Sequence, residues 1–193
     1  FDLYSHRNGK YYNTHLLQTE AGKDIVITAS RDIQKGEPIH GSVGLGAPVG
    51  TPRLFKDGGF VEQLPRQFAF DLRDSEGYEH SMMFDLEEPE FVQDASADDG
   101  DRQLVVKWPI GRPVLTRAFE ALEMELHRLE ALQDLLDPKA SNLQAVPQHE
   151  RDLAAQYHAA LLEGIRYAYM AKDLEPFSWS PYTLTDYVVA GVN

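Results

Sequence analysis

Residues 24–61 read DIVITASRDIQKGEPIHGSVGLGAPVGTPRLFKDGGFV and decide the fold. The β-branched run at residues 25–28 predicts a buried strand. The turn Lys35-Gly36-Glu37 places Gly36 at a positive φ, and the next strand begins at residues 38–40. After a glycine-rich loop over residues 41–50, Thr51 is the predicted N-cap and Pro52 the first residue of a short helix that ends near residue 57.

The rest of the chain divides into a strand-rich part and a helical part. Alternating apolar residues predict a strand over residues 67–72. A further strand or hairpin arm is expected over residues 76–86, and another strand over residues 104–108. From residue 113 the apolar spacing becomes helical, which predicts helices over residues 113–136 and 148–172. Residues 177–193 are expected to add a strand or to wrap over the helices. The predicted core positions of the two helices are Leu115, Phe119, Leu122, Leu126, Leu129, Leu136, Leu153, Tyr157, Leu161, Ile165 and Ala168.

These elements predict an α+β protein with three parts. Residues 1–72 form an irregular β-rich unit, residues 73–112 a mixed β connector with an acidic loop at residues 94–101, and residues 113–193 a helical C-terminal lobe built on an antiparallel helix pair. The apolar stripes of the helices are expected to form core rather than a groove for a partner.

Composition and charge exclude several classes of function. The chain has 31 acidic and 18 basic residues, a formal net charge of −13, and no cysteine. Because the acidic residues lie mostly beyond residue 71, that part would repel a phosphate backbone, and we expect no nucleic-acid binding. No apolar run approaches the roughly 20 residues that span a bilayer, so no membrane span is expected. The lack of cysteine removes thiolate catalysis and cysteine-ligated zinc.

The candidate ligand-binding motifs do not fit known patterns. The loop at residues 41–50 matches neither G-x-G-x-x-G nor a P-loop. In residues 94–101 the glycine comes one place late for a calcium loop and Val105 stands where the bidentate glutamate belongs, which favours an acidic linker. The seven histidines lack metal-ligand spacing, so no metal site is expected. His127, His149 and His158 are predicted on helix surfaces.

Four short motifs, taken in order, resemble the C-terminal half of a SET domain. They are DLYSHRNG at residues 2–9, ASRDIQKGEPI at 29–39, GSVG at 41–44 and TPRLFKDGGFVE at 51–62. The corresponding family segments are Asn-His, A-x-x-D-I-x-x-G-E-x-I, S-Y-G and Y-G-F-V. The resemblance covers about residues 1–72. It is nearest to the Rubisco large-subunit methyltransferase class and its algal relatives, which lack cysteine-rich zinc flanks and carry a helical C-terminal lobe.

The resemblance implies transfer of a methyl group from S-adenosylmethionine to a protein lysine. Cofactor and substrate would enter from opposite faces, and the amine would attack the methyl group in line through a narrow channel whose tyrosines orient it. The segment containing Ser5 and His6 would hold the cofactor, and Phe60 would lie on the substrate side.

This chain departs from the family pattern where the chemistry would occur. Ser5 replaces the cofactor-binding asparagine and lacks its two amide donors, whereas His6 matches. Val43 and Gly58 replace the two tyrosines. Because loss of one positioned transition-state donor costs about 10²–10³ in rate, the site is predicted to be inactive. The positions that match the family motifs and serve the fold are Gly44, Gly59, Phe60 and Val61.

The leading hypothesis is therefore a degenerate, non-catalytic SET-like protein without a cofactor, which serves as a binding or structural subunit among protein partners. The alternative is an active S-adenosylmethionine-dependent lysine methyltransferase in which Tyr4, Tyr11 or Tyr12 supplies the missing hydroxyls. A third possibility is that the helix pair carries the whole function.

The first residues read as the middle of a fold, so we expect that sequence upstream of Phe1 has been lost. A glycine-bearing cofactor strand in that upstream sequence would make a complete SET fold possible. The algal resemblance is compatible with a plastid or another organelle as well as with the cytoplasm. The sequence leaves the oligomeric state open.

Overall fold

The structure is a computed structural model that describes residues 5–18, 25–41, 49–89, 103–109, 112–113, 116–136, 145–174 and 186–189. The predicted α+β class is confirmed. The strands are β1 Ser5–His6, β2 Thr14–Gln18, β3 Ile25–Ala29, β4 His40–Gly41, β5 Arg66–Arg73, β6 Glu79–Glu87, β7 Leu104–Lys107 and β8 Asp186–Val189. The helices are α1 Thr51–Gly58, α2 Thr116–Gln133 and α3 Gln148–Met170.

The first four strands form one sheet in the order β1-β4-β2-β3. β2 and β3 form an antiparallel hairpin. β4 lies between β1 and β2 and runs parallel to both, so His6 lies in register with Gly41. The turn that leads into β4 has Gly36 at a φ of 87°, as predicted. Because β4 pairs with β1, residues 5–6 and residues 40–41 lie side by side although they are distant in sequence.

The predicted strand at residues 25–28 is present as β3, but the prediction that it is buried is wrong. Among the strands that the structure describes, β3 lies at the edge of its sheet, and Val26 and Ile27 remain 43% and 47% exposed. β-branched side chains are stiff at χ1 and fit a pleated strand, whereas burial requires another element to pack on that strand.

The Asn13 side chain connects the turn at residues 34–40 to this sheet through hydrogen bonds. Its side chain is fully buried, and its Nδ2 donates to Glu37 Oε1 at 3.1 Å and to the Pro38 carbonyl at 2.9 Å. Its Oδ1 accepts from the His40 backbone N–H at 2.9 Å. Glu37 also pairs with the Arg31 guanidinium at 2.5 Å, and that hydrogen bond is the largest cause that lowers the pKa of Glu37 to about 2.

The second sheet, β5-β6-β7-β8, is antiparallel and carries the core. Phe68 stacks on Phe84 at 5.0 Å between ring centroids, and Phe84 lies 5.2 Å from Trp108. The strands predicted at residues 67–72, 76–86 and 104–108 are confirmed as β5, β6 and β7, and β8 is the added C-terminal strand. The buried side chains that α2 and α3 contribute to this core include Leu122, Leu126, Leu129, Leu161, Ile165 and Ala168.

The two predicted helices are confirmed as an antiparallel pair. Glu123 contacts Tyr169 and Leu129 contacts His158, so the chain directions oppose each other. Arg112 Nη1 lies 3.0–3.2 Å from the carbonyl oxygens of Ala171, Lys172 and Leu174, just beyond the end of α3. An arginine at this end donates hydrogen bonds to carbonyls that lack helical partners. Its positive charge is also attracted to the negative end of the helix dipole.

The histidines on the helices have different surroundings. His127 and His149 are exposed, as predicted. The prediction for His158 is wrong, because its side chain is buried and its Nε2 lies 2.7 Å from the Leu129 carbonyl oxygen. The seam between the two helices therefore includes a buried polar contact.

The described residues test several of the predictions only in part. The proposed boundary after residue 72 falls inside β5, which pairs along its length with β6, and the division into three parts stays a prediction. The acidic loop at residues 94–101 and most of the glycine-rich loop lie outside the described residues. So do Tyr4, Val43 and Leu115. Of the helices that the structure describes, none is long and apolar enough to cross a membrane.

Candidate functional site

The pairing of β1 with β4 positions His6. Successive residues of a strand point to opposite faces, so Ser5 is exposed whereas His6 is only 9% exposed. The His6 ring faces the Phe60 ring, with 5.9 Å between centroids and 55° between planes. Of the two predicted cofactor positions, only His6 therefore packs into the fold.

The end of α1 positions Gly58 and Phe60. Gly59 adopts a left-handed conformation with a φ of 68°, and its N–H donates to the Phe55 carbonyl at 3.0 Å. This C-cap turns the chain so that Phe60 folds back over Gly58. A Cβ atom at Gly58 would lie 2.7 Å from Phe60 Cε1 and 3.0 Å from Cδ1. The Phe60 ring thus occupies the space that a side chain at position 58 would enter.

We refer to His6, Gly58 and Phe60 as the His6–Phe60 cluster. Burial is the main cause that lowers the pKa of His6, and the nearby charge of Arg7 lowers it further. The imidazole is therefore neutral at pH 7, with one nitrogen that donates and one that accepts.

Arg7 ties β1 to the chain beyond Phe60. Its guanidinium donates to Gln63 Oε1 at 3.0 Å and to the Leu64 carbonyl at 2.9 Å. It also lies 4.4 Å from the centroid of the Tyr11 ring. This arginine therefore fixes the position of His6 relative to the segment that carries Phe60.

The tyrosines nominated as replacements have other contacts. Tyr11 packs under Arg7, and the Tyr12 ring lies 5.6 Å from the His15 ring. Both side chains are more than a third exposed. The structure thus brings His6, Gly58 and Phe60 together, while the side chain of Ser5 faces solvent.

Glu62 is a buried carboxyl near this cluster that sequence reasoning did not single out. It is 4% exposed, and the Thr51 Oγ1 lies 2.6 Å from its Oε1 and 3.2 Å from the Gln67 carbonyl oxygen. Thr51 is accordingly the first residue of α1, and Gly50, not Thr51, is the N-cap. The sequence signal was a carboxyl residue directly after the apolar pair at residues 60 and 61.

Burial is the main cause that raises the pKa of Glu62, and the Thr51 hydrogen bond opposes it. A raised carboxyl pKa means that the folded state holds the proton more tightly than the unfolded state. The stabilisation that the protonated Glu62 carboxyl gives the folded state is complete below the pKa of the unfolded state, about 4.3. It is lost as the pH rises through the pKa of Glu62 in the folded state.

Glu62→Gln is therefore expected to stabilise the protein at pH 7 and to have little effect near pH 4. Glutamine stays neutral at both pH values and keeps an acceptor for the Thr51 hydroxyl. Urea unfolding between pH 4 and pH 8 measures this difference, with the exposed Glu79→Gln as the control. A Glu62→Gln protein that is less stable than the natural chain at pH 7 would contradict the assignment.

Among the described residues, no three His, Asp or Glu side chains are arranged to hold a metal ion. No protein-family model, curated protein or solved structure matches this chain. The resemblance to SET domains therefore rests on the order of the motifs.

Proposed function

We propose that this chain is a non-catalytic relative of the SET-domain lysine methyltransferases and acts as a binding or structural subunit of a protein assembly. The observation that carries the proposal is the packing of the Phe60 ring over Gly58. At the position where the family has a tyrosine, this chain has no side chain, and an apolar ring fills the adjacent space.

The groups left at the cluster are poorly suited to methyl transfer. Orientation of a lysine amine requires hydrogen-bonding groups held in place before the reaction. Gly58 and Phe60 supply no side-chain hydrogen bond, and the other tyrosine position is Val43, whose side chain is apolar. His6 is a single neutral imidazole that packs against Phe60.

The contacts that hold the scaffold support a binding role. The Phe55 ring of α1 stacks on the Tyr157 ring of α3, with 3.9 Å between centroids and 3° between planes. Arg66 of β5 pairs with Glu163 of α3 at 2.5 Å, and both side chains are mostly buried. These contacts connect the region around the cluster to the helices, so the scaffold is retained although the tyrosine side chains are absent.

Calorimetric titration of the full-length protein with S-adenosylmethionine is expected to show no binding at micromolar concentrations. A radiolabelled methyl-transfer assay with lysine-containing protein substrates is expected to give no labelled product. The reason is that the cofactor position is the exposed Ser5 and the two tyrosine hydroxyls are missing.

Micromolar binding followed by methyl transfer would overturn the proposal. Transfer that disappears in Tyr11→Phe or Tyr12→Phe would then establish the active methyltransferase with a rearranged channel. Tyr78→Phe is the matched control, because Tyr78 is 59% exposed on the hairpin between β5 and β6.

A further inference from the structure

A groove separate from the His6–Phe60 cluster lies between the first half of α2 and the end of α3. Its volume is about 470 Å³, within the range of roughly 300–1,000 Å³ typical of ligand sites. Residues three and four apart share one face of a helix, so the wall that α2 contributes is a continuous stripe of Phe119, Glu120 and Glu123. The other wall is Tyr169 of α3 with Lys172 and Asp173, which lie in the 3₁₀ turn Ala171–Asp173 directly after α3.

The groove already holds one organic cation, which is its own Lys172. The Lys172 ammonium nitrogen lies 3.7 Å from the centroid of the Tyr169 ring. The hydroxyl of the same tyrosine donates to Glu123 Oε1 at 2.8 Å, which fixes the ring. An aromatic face held next to a carboxylate attracts a cation through both its quadrupole and the neighbouring charge.

The charge of the groove exceeds what Lys172 neutralises. Three carboxylates, those of Glu120, Glu123 and Asp173, line the groove together with one ammonium group, that of Lys172. Glu120 also accepts a hydrogen bond from the Ser75 hydroxyl. The net charge of −13 on the whole chain adds a long-range attraction for basic molecules. The groove therefore has room and charge for a second cation.

The arrangement of the carboxylates restricts the kind of cation. No three acidic or histidine side chains in the described part of the chain are placed to hold a metal ion. Carboxylates spread along two walls suit a cation that delocalises its charge and brings its own N–H donors. An arginine guanidinium does both, because it is planar, carries five donors and stacks on aromatic rings.

We propose that this groove binds an arginine side chain of a basic polypeptide partner. The guanidinium stacks on the aromatic wall and donates to Glu123 and Asp173, while Lys172 leaves the Tyr169 ring. Lys172 is thus an internal competitor for the site. The groove shares no residue with the His6–Phe60 cluster, so this proposal holds whether or not the protein transfers methyl groups.

Fluorescence anisotropy with the full chain and a labelled Gly-Ser-Arg-Gly-Ser-Arg-Gly peptide tests the proposal. The comparison peptide has citrulline at both arginine positions, which keeps the shape and removes the charge. Glu123→Gln combined with Asp173→Asn is expected to weaken arginine-peptide binding by about tenfold, because two charge-assisted hydrogen bonds are lost. The charge-matched pair Glu150→Gln and Asp152→Asn, exposed at the start of α3, is expected to change the affinity by less than about twofold.

Two further comparisons separate the site from general attraction. Tyr169→Leu is expected to weaken binding several-fold, whereas Tyr169→Phe keeps the ring and most of the affinity. Lys172→Met is expected to tighten binding several-fold, and Lys56→Met, an exposed change of equal charge on α1, is expected to have little effect. Urea unfolding curves confirm that each variant is folded.

Equal losses of peptide affinity in the two double variants would overturn the proposal, because long-range attraction between charges would then explain the binding. Equal binding of the citrulline peptide, or no binding of the arginine peptide at low salt, would overturn it as well.

Discussion

Replacing Phe68 with alanine is expected to lower the free energy of unfolding by about 3–5 kcal/mol, the usual cost of deleting a buried aromatic ring. Phe68 is fully buried between the second sheet and α3, and its ring stacks on Phe84. Urea unfolding followed by far-ultraviolet circular dichroism measures the change. A loss of less than about 1 kcal/mol would contradict the central place of this ring in the core.

A substitution at Gly164 of α3 tests the same contact by adding atoms to it instead of removing them. A Cβ atom at Gly164 would lie 2.5 Å from Cζ of Phe68, so α3 approaches the sheet at a distance that only glycine permits. In the natural chain, Gly164→Ala is expected to cost about 1–3 kcal/mol through overpacking, which outweighs the better helix propensity of alanine. In a Phe68→Ala background the added methyl group enters vacated space, and the cost is expected to vanish. Additive effects in the double variant would contradict the contact.

Asn13→Ala is expected to lower the free energy of unfolding by about 2–4 kcal/mol, because it removes three hydrogen bonds of a fully buried side chain, to Glu37, the Pro38 carbonyl and the His40 N–H. The turn at residues 34–40 loses its hydrogen bonds to the Asn13 side chain, whereas the backbone bond from the Asn13 N–H to the His40 carbonyl is kept. Urea unfolding gives the total effect, and hydrogen exchange of the His40 amide reports the local loss.

Thr28→Ala on the neighbouring strand β3 is the control for Asn13, because Thr28 is exposed and its hydroxyl makes only a 3.5 Å contact with the His15 carbonyl oxygen. It is expected to change stability by less than about 0.5 kcal/mol. If Asn13→Ala were equally mild, the proposed attachment of the turn would be wrong.

Local signals in the sequence predicted the elements but not their surroundings. Gly36 marks a positive φ and the leucine spacing marks α2 and α3, because both depend on neighbouring residues. The exposure of Val26 depends on which strand lies at the sheet edge. The burial of His158 depends on the seam between two helices, where a carbonyl group of α2 meets its ring. Neither property is encoded within a window of a few residues.

Part of the candidate site could be predicted from the sequence, because the motifs that point to it are local. Motif order pointed to His6, Gly58 and Phe60, and the structure brings these three residues together, although their roles stay predictions. The direction of the Phe60 ring depends on the left-handed C-cap at Gly59, which places it over Gly58. Glycine in the middle of a helix often has a packing reason, so Gly164 was a usable signal for close approach of α3 to the sheet.

The edge position of β3 has a consequence for how copies of the protein behave in concentrated solution. Its five residues carry no charged side chain, and an uncharged apolar edge is a template for strand pairing between molecules. The net charge of −13 keeps copies apart, but the range of this repulsion falls from about 30 Å at 0.01 M salt to about 8 Å at physiological ionic strength. Added salt therefore weakens the electrostatic repulsion that opposes pairing of two copies at this edge.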